Sequence, residues 1–221
     1  MRRGGPVLAT IFPPWTNRLP LLAAAAALVL SAGGVFGYLY FFSNEYTDVG
    51  YMPRQPVPFS HKRHVGEAKI DCRYCHAGVE VSPVAVVPPT RTCMNCHSFI
   101  ARDSEKLAAI RESAEALRPM QWIRVHRLPG FAYFDHSAHL RAGVGCVSCH
   151  GDVSRMEEIV QVKPLSMGWC MDCHHHPQAH LRPPELITSP APLTSEQHAV
   201  MRMVAKSRRI EPPTDCTGCH R

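Results

Sequence analysis

The sequence predicts one N-terminal membrane-spanning helix followed by a mostly irregular domain, with a few short helices, little or no sheet, and a core supplied by bound groups. Three observations lead there. An uncharged run of 22 residues stands near the N-terminus, 20 prolines are spread through the chain of 221 residues, and all ten cysteines fall into five pairs of one pattern. Proline lacks the backbone N–H and fixes φ, so its density leaves segments too short for long helices or central strands. Ten cysteines are too few for a disulfide-built miniprotein and too many for an ordinary cytosolic enzyme, so the thiols are expected to carry chemistry. Charged residues at 19% and aromatics at 8% argue against disorder. The net charge is +6, but Arg2, Arg3 and Arg18 stand alone in the first 42 residues, and the remaining basic residues are scattered among acids. No basic face for nucleic acid is expected.

The first element is the apolar run from Leu21 to Phe42. As a helix it is about 33 Å long, enough for the roughly 30 Å hydrocarbon core of a bilayer. A cleaved signal peptide has an apolar stretch about half as long, so a retained anchor is expected. Residues 1–20 are read as a cytoplasmic N-terminus and 21–42 as the transmembrane helix. Arg2, Arg3 and Arg18 precede it while Glu45 and Asp48 follow, which places the rest of the chain on the periplasmic, exoplasmic side of the cytoplasmic (inner) membrane. Tyr38, Tyr40, Phe41 and Phe42 form an aromatic exit belt, with Trp15 toward the entry side, and Gly33, Gly34 and Gly37 allow close approach by a partner helix. Residues 43–58, with Pro53, Pro56 and Pro58, read as an extended tether.

The cysteine pairs are Cys72/Cys75, Cys93/Cys96, Cys146/Cys149, Cys170/Cys173 and Cys216/Cys219, each followed at once by a histidine: His76, His97, His150, His174 and His220. With 14 histidines in 221 residues, five such coincidences have a chance of roughly one in a million. Cys-x-x-Cys-His is the attachment motif of c-type haem: the thiols add to the two vinyl groups and the imidazole becomes the proximal iron ligand. Five covalently attached haems are therefore expected. Zinc takes such pairs two at a time, and five is odd. A thioredoxin-like redox pair would occur once, in a βαβ setting that the pattern lacks.

Nine further histidines are available as distal ligands: His61, His64, His126, His136, His139, His175, His176, His180 and His198. A duplication narrows the choice. Phe59-Ser60-His61-Lys62-Arg63-His64 precedes Cys72 as Phe134-Asp135-His136-Ser137-Ala138-His139 precedes Cys146, and Cys93-Met94-Asn95-Cys96 corresponds to Cys170-Met171-Asp172-Cys173. The offsets of the three landmarks are 75, 74 and 77 residues. One two-haem unit over 59–118 thus repeats over 119–193, and 194–221 holds a helix and the fifth site. Histidines three apart share a helix face, so one element can serve two irons. The fifth distal ligand is expected from His126, then His175, with Met167, three residues before Cys170, as the third choice. His176, His180 and His198 are expected to be exposed or supporting.

Two longer helices are predicted. Asp103–Leu117 places Leu107, Ile110, Ala114 and Leu117 on one side and stops before Pro119; Thr194 to about Arg209 opens with a Thr194/Gln197 capping box and carries Val200, Met203 and Val204. The segments Val84–Pro89 and Arg182–Pro192 are read as loops over haem edges or partner surfaces, and Arg73, Arg91 and Arg141 as candidate partners of propionates. With so little regular structure the haems supply most of the apolar core, and the haem-free chain is expected not to fold.

The Phe-x-His-x-x-His element before a haem motif resembles the small multihaem cytochromes of the c3 and c7 type. That resemblance implies that His61 ligates the haem on Cys72/Cys75 and His136 that on Cys146/Cys149, while His64 and His139 reach neighbouring haems. The anchor, the five motifs, Arg124-Val125-His126-Arg127-Leu128-Pro129 leading into Phe134-Asp135-His136, and Met167-Gly168-Trp169-Cys170 together resemble the pentahaem cytochrome c subunit of bacterial alternative complex III over nearly the whole chain. This implies a non-catalytic electron-transfer subunit of a quinol:electron-acceptor oxidoreductase. Its partners would be polytopic quinol-binding subunits, an iron-sulfur subunit that delivers electrons, and a monohaem cytochrome c or soluble carrier that receives them. Two alternatives are a membrane quinol dehydrogenase of the NapC/NrfH type, whose first haem lies closer to the anchor, and a multihaem reductase, which needs an open iron.

Overall fold

The computed structural model describes residues 13–42 and 48–220; Arg2, Arg3 and Glu45 of the charge asymmetry lie outside them. The chain divides into two units, residues 1–43 and 44–221. In the first, a 3₁₀ turn over Pro14–Arg18 is closed by the Thr16 hydroxyl, which donates to the Pro13 carbonyl at 2.7 Å. It leads into α1, Leu19–Phe42. The helix starts two residues before the apolar run because Pro20 sits in its first turn, where an N–H has no intrahelical partner to lose. The 28-residue stretch from Pro14 to Phe41 is long and apolar enough to cross a membrane. Leu21, Leu28, Leu30, Val35 and Phe36 are all exposed. A helix apolar all round suits a lipid environment.

The second unit contains eight short α-helices among the described residues: α2 (Cys72–Cys75), α3 (Thr90–His97), α4 (Ala108–Glu115), α5 (His136–Ala142), α6 (Val147–His150), α7 (Met167–His175), α8 (Ser195–Ser207) and α9 (Cys216–Cys219). Lys62–Glu67 adds one π-helical turn. Isolated antiparallel bridges, Ala132 with His220 and Val144 with Leu181, replace any sheet. The helices begin where side chains satisfy their free N–H groups. Asp71 accepts from Arg73 N, Asp135 from Ser137 N and Ala138 N, Ser166 from Trp169 N, and Asp215 from Thr217 N and Gly218 N. Four of the five haem motifs, or the histidine element serving them, are thereby started by a polar cap. α5 ends at Gly143, whose φ of 95° is open to glycine.

Both predicted longer helices form, with corrections. The first is a 3₁₀ turn at Glu105–Leu107 followed by α4, and it buries Ile110. It stops at Glu115, and Leu117 turns outward at φ 51° with 91% exposure rather than joining the buried side. α8 has both hydrogen bonds of the capping box, Gln197 N to Thr194 Oγ1 and Thr194 N to Gln197 Oε1. Its covered side is Met201 and Ala205, while Val200 and Met203 face outward. Met201 and Ala205 pack with Leu181, Val144, Val204 and Ile210 into an apolar cluster. Among the described residues only eight hydrophobic side chains are buried. That is far too little for a unit of this size to hold itself together, so prosthetic groups must complete the core.

Candidate functional site

Each Cys-x-x-Cys-His segment sits on a helical turn, which puts both thiols on one face and the imidazole at its exit. The histidine amide closes the turn on the first cysteine: His76 N to Cys72 O at 2.9 Å, His150 N to Cys146 O at 3.0 Å, His220 N to Cys216 O at 2.9 Å. Three sequence positions therefore present one local shape, independent of what surrounds them.

The imidazoles are then oriented by backbone carbonyls. His76 Nδ1 donates to Val86 O at 3.0 Å, His97 Nδ1 to Ile100 O at 2.9 Å, His174 Nδ1 to Pro213 O at 2.7 Å, and His220 Nδ1 to Phe131 O at 3.2 Å. Among the distal candidates, His64 Nδ1 donates to Ser60 O at 2.8 Å, His136 Nδ1 to Pro83 O at 2.9 Å, and His139 Nδ1 to Asp135 O at 2.7 Å. A carbonyl only accepts, so each bond places the proton on Nδ1 and leaves the Nε2 lone pair free for a metal.

Iron held between two imidazole nitrogens at about 2 Å from each sets the ring centres about 6.3 Å apart. Three imidazole pairs have this ring spacing: His64 with His97 at 6.0 Å, His136 with His150 at 6.4 Å, and His139 with His174 at 6.2 Å. His61 lies close enough to His76 and His64 to feel their charge. Burial first, then these two neighbours, holds it down to about 4. His150 is held down to about 3, by burial and then by His126 and His136, and burial likewise lowers His126 and His139. Burial thus favours the neutral form, the one that ligates, at His61, His126, His139 and His150.

A phenylalanine joins the histidines of each repeat. Phe59 meets His61 edge-on at 4.9 Å and 87° and stacks on His64 at 4.4 Å and 23°. Phe134 meets His136 at 4.7 Å and 87° and stacks on His139 at 4.5 Å and 29°. The two clamps agree closely although one sits on a π-helical turn and the other on α5.

The thiols are half-buried apart from Cys96 and Cys216, which are exposed. Burial pushes Cys149 up to about 12 and Cys146 to about 11, and raises Cys72, Cys75, Cys93, Cys170 and Cys173. These are protonated thiols rather than activated nucleophiles. No three His, Cys, Asp or Glu side chains converge into a metal-holding cluster among the described residues. Paired imidazoles beside paired thiols suit an iron whose four equatorial positions belong to a macrocycle, and the donor set fits c-type haem.

The remaining candidates are placed as follows. His126 lies at the third site, its ring 4.4 Å from that of His150 at 76°, with Nε2 buried and unpartnered. His175 and His176 are exposed at the end of α7, and Met167 is 66% exposed at its start. His180 and His198 are half-buried, and burial lowers His180. Arg73 is engaged by Asp71 at 2.9 Å and Glu80 at 3.3 Å, so carboxylates of the chain occupy the guanidinium assigned to a propionate; Arg91 and Arg141 are exposed. The Val84–Pro89 loop supplies the Val86 carbonyl to His76, and Pro83 just before it serves His136. Sequence reasoning missed these orienting carbonyls because every residue has one. It noted Phe59 and Phe134 but not their role, for which repetition before both histidine pairs was the available signal.

Residues 132–221 match the family model described as cytochrome c7 and related cytochrome c. This region holds the third to fifth motifs, and the fold is that of a multihaem cytochrome domain. The chain is also 32% identical over 117 residues to the menaquinone reductase multiheme cytochrome c subunit of Nitratidesulfovibrio vulgaris, a match covering 52% of this chain and 53% of the relative. The match thus spans about half the length of that protein.

Proposed function

We propose that the chain is an electron-transfer subunit carrying five c-type haems, held at the inner membrane by α1 with its N-terminus in the cytoplasm. The observation that supports this reading is the set of imidazole pairs with ring centres 6.0, 6.2 and 6.4 Å apart, a spacing at which two histidines could share one iron. The haems would be held by Cys72/Cys75 with His76 and His61, Cys93/Cys96 with His97 and His64, Cys146/Cys149 with His150 and His136, Cys170/Cys173 with His174 and His139, and Cys216/Cys219 with His220. With His126 drawn to the third site, the sixth position at the fifth falls to His175 or Met167. Bound haem supplies a one-electron iron couple in which no substrate bond is made or broken. The protein's own part would be to supply the imidazoles, hold seven of them (His64, His76, His97, His136, His139, His174 and His220) through Nδ1, and shield the first and third pairs with the Phe59 and Phe134 rings.

The relative's name, a multihaem subunit of a menaquinone reductase, supports a place among the subunits of a quinone-linked complex. The resemblance to alternative complex III sharpens this: electrons arrive from an iron-sulfur subunit fed by polytopic quinol-binding subunits and leave to a monohaem cytochrome c or soluble carrier. The Gly33, Gly34 and Gly37 stripe, with open space at each Cβ position, offers α1 a contact for those polytopic subunits. Purification from solubilised membranes with identification of co-purifying chains by mass tests the assignment. An iron-sulfur and a polytopic partner are expected, and a chain that purifies alone with a reduced form that binds carbon monoxide at most of its haems refutes it.

A further inference from the structure

We infer that the attachment sites form one unbranched file in the spatial order second, first, third, fourth, fifth motif, so that electrons enter and leave at the sites on Cys93–His97 and Cys216–His220. This rests on the pentahaem reading and adds the connectivity, which differs from chain order.

Four junctions define the file. Between the second and first sites, Phe59 touches both His61 and His64, and the His64 ring lies 6.0 Å from that of His97, so one helical turn reaches both sites. Asn95 Nδ2 donates to the Tyr74 hydroxyl at 3.0 Å, and each of these residues lies between the two cysteines of its own motif. Phe134, His136 and His139 repeat this junction between the third and fourth sites, with His150 and His174 as the facing rings.

The two repeats meet through their first sites. Cys72, Cys146 and His150 line one cavity with Thr188 and Pro190. Thr188 Oγ1 donates to Asp71, the residue before Cys72, at 3.0 Å, and Cys146 N donates to Ile187 O at 3.1 Å, so two adjacent residues stitch the first motif to the third. The connecting stretch makes a second stitch: Trp122 packs edge-on to Phe59 at 6.4 Å, and four residues later His126 rests on His150. The fifth site joins the fourth through His174 Nδ1, which donates to Pro213 O three residues before Cys216. Tyr133 N, donating to Cys219 O at 2.7 Å, holds the fifth motif to the segment that enters the second clamp.

Exposure of the attachment thiols marks the ends independently. Of the ten cysteines only Cys96 and Cys216 are exposed, one in each terminal motif of the file. Phe99 and Ile100, just beyond His97, are 86% and 63% exposed, and Phe131 beside His220 is 64% exposed. Apolar side chains around an accessible haem edge suit brief docking of another redox protein.

An electron cryomicroscopy or iron-edge anomalous diffraction structure of the haem-loaded protein in its membrane complex tests both parts. The four shortest iron–iron separations are expected between the second and first, first and third, third and fourth, and fourth and fifth sites, and the irons nearest partner redox centres are expected to be the second and fifth. A second iron nearest the third or fourth, or a first, third or fourth iron nearest a partner centre, overturns the file and leaves the pentahaem reading standing. Fewer than five covalently held irons overturns both.

Discussion

Replacing Phe134 by alanine removes the ring that touches His136 at 4.7 Å and His139 at 4.5 Å, and so loosens two proposed iron ligands at once. Truncating a fully buried phenylalanine costs about 3–5 kcal/mol; Phe134 is half-buried, so about 2 kcal/mol is expected. Shared between two imidazoles this is about 1 kcal/mol each, within the range of about 0.5–1.5 kcal/mol for a single aromatic contact. A loss of about 1 kcal/mol raises the detached fraction of each ligand about fivefold. A detached ligand opens the iron, so carbon monoxide binding to the reduced protein, titrated by its Soret difference spectrum, is the assay. About 2 kcal/mol also lowers the melting temperature by roughly 4–8 °C in a domain of this size. Phe59→Ala is expected to act alike on the first repeat, whereas Phe131→Ala, whose ring is mostly exposed, has a smaller effect. A Phe134→Ala protein with unchanged carbon monoxide uptake and melting temperature refutes the clamp, as does an equal response to Phe131→Ala.

Three more outcomes are expected. His136→Met exchanges an imidazole for a thioether opposite His150 and shifts one haem potential upward by on the order of 0.1 V, within the roughly 0.8 V that axial ligands span; His198→Ala leaves every potential in a redox titration in place. Asp135→Ala removes the acceptor that takes Ser137 N at 2.8 Å and Ala138 N at 3.3 Å and lowers the thermal unfolding midpoint, and Asp135→Asn restores most of the loss. The hydrogen bond from Arg73 is the first cause holding Asp71 down at about 2 against an ordinary 3.8. The pair therefore stabilises the folded protein above pH 3.8 and loses that contribution as pH falls through about 2. Because both side chains are more than 40% exposed, solvent limits it to about 1 kcal/mol or less, and Asp71→Asn is expected to flatten that part of an acid-unfolding curve.

The chemistry of this protein is written locally. Attachment needs two thiols and an imidazole within five consecutive residues, and a shared helix face needs histidines three apart, so the motifs, the repeated Phe-x-His-x-x-His element and the apolar helix were all legible in the sequence. The α8 capping box was readable for the same reason. What lay beyond reach depends on segments far apart in the chain. His64 meets His97 and His139 meets His174 only after folding, and the carbonyls of Val86, Pro83 and Pro213 that aim three imidazoles carry no residue-type signal. Leu117, taken for a buried position by its spacing, faces outward because the helix ends two residues earlier. His126 shows the same division: its place in the sequence made it the first choice for the fifth distal ligand, but its resting place on His150 was decided by the path of the connector between the repeats. Residue type and spacing determine which groups can bind iron, whereas three-dimensional packing decides which of them face one another, because contacts across many tens of residues are selected by the shape of the whole domain.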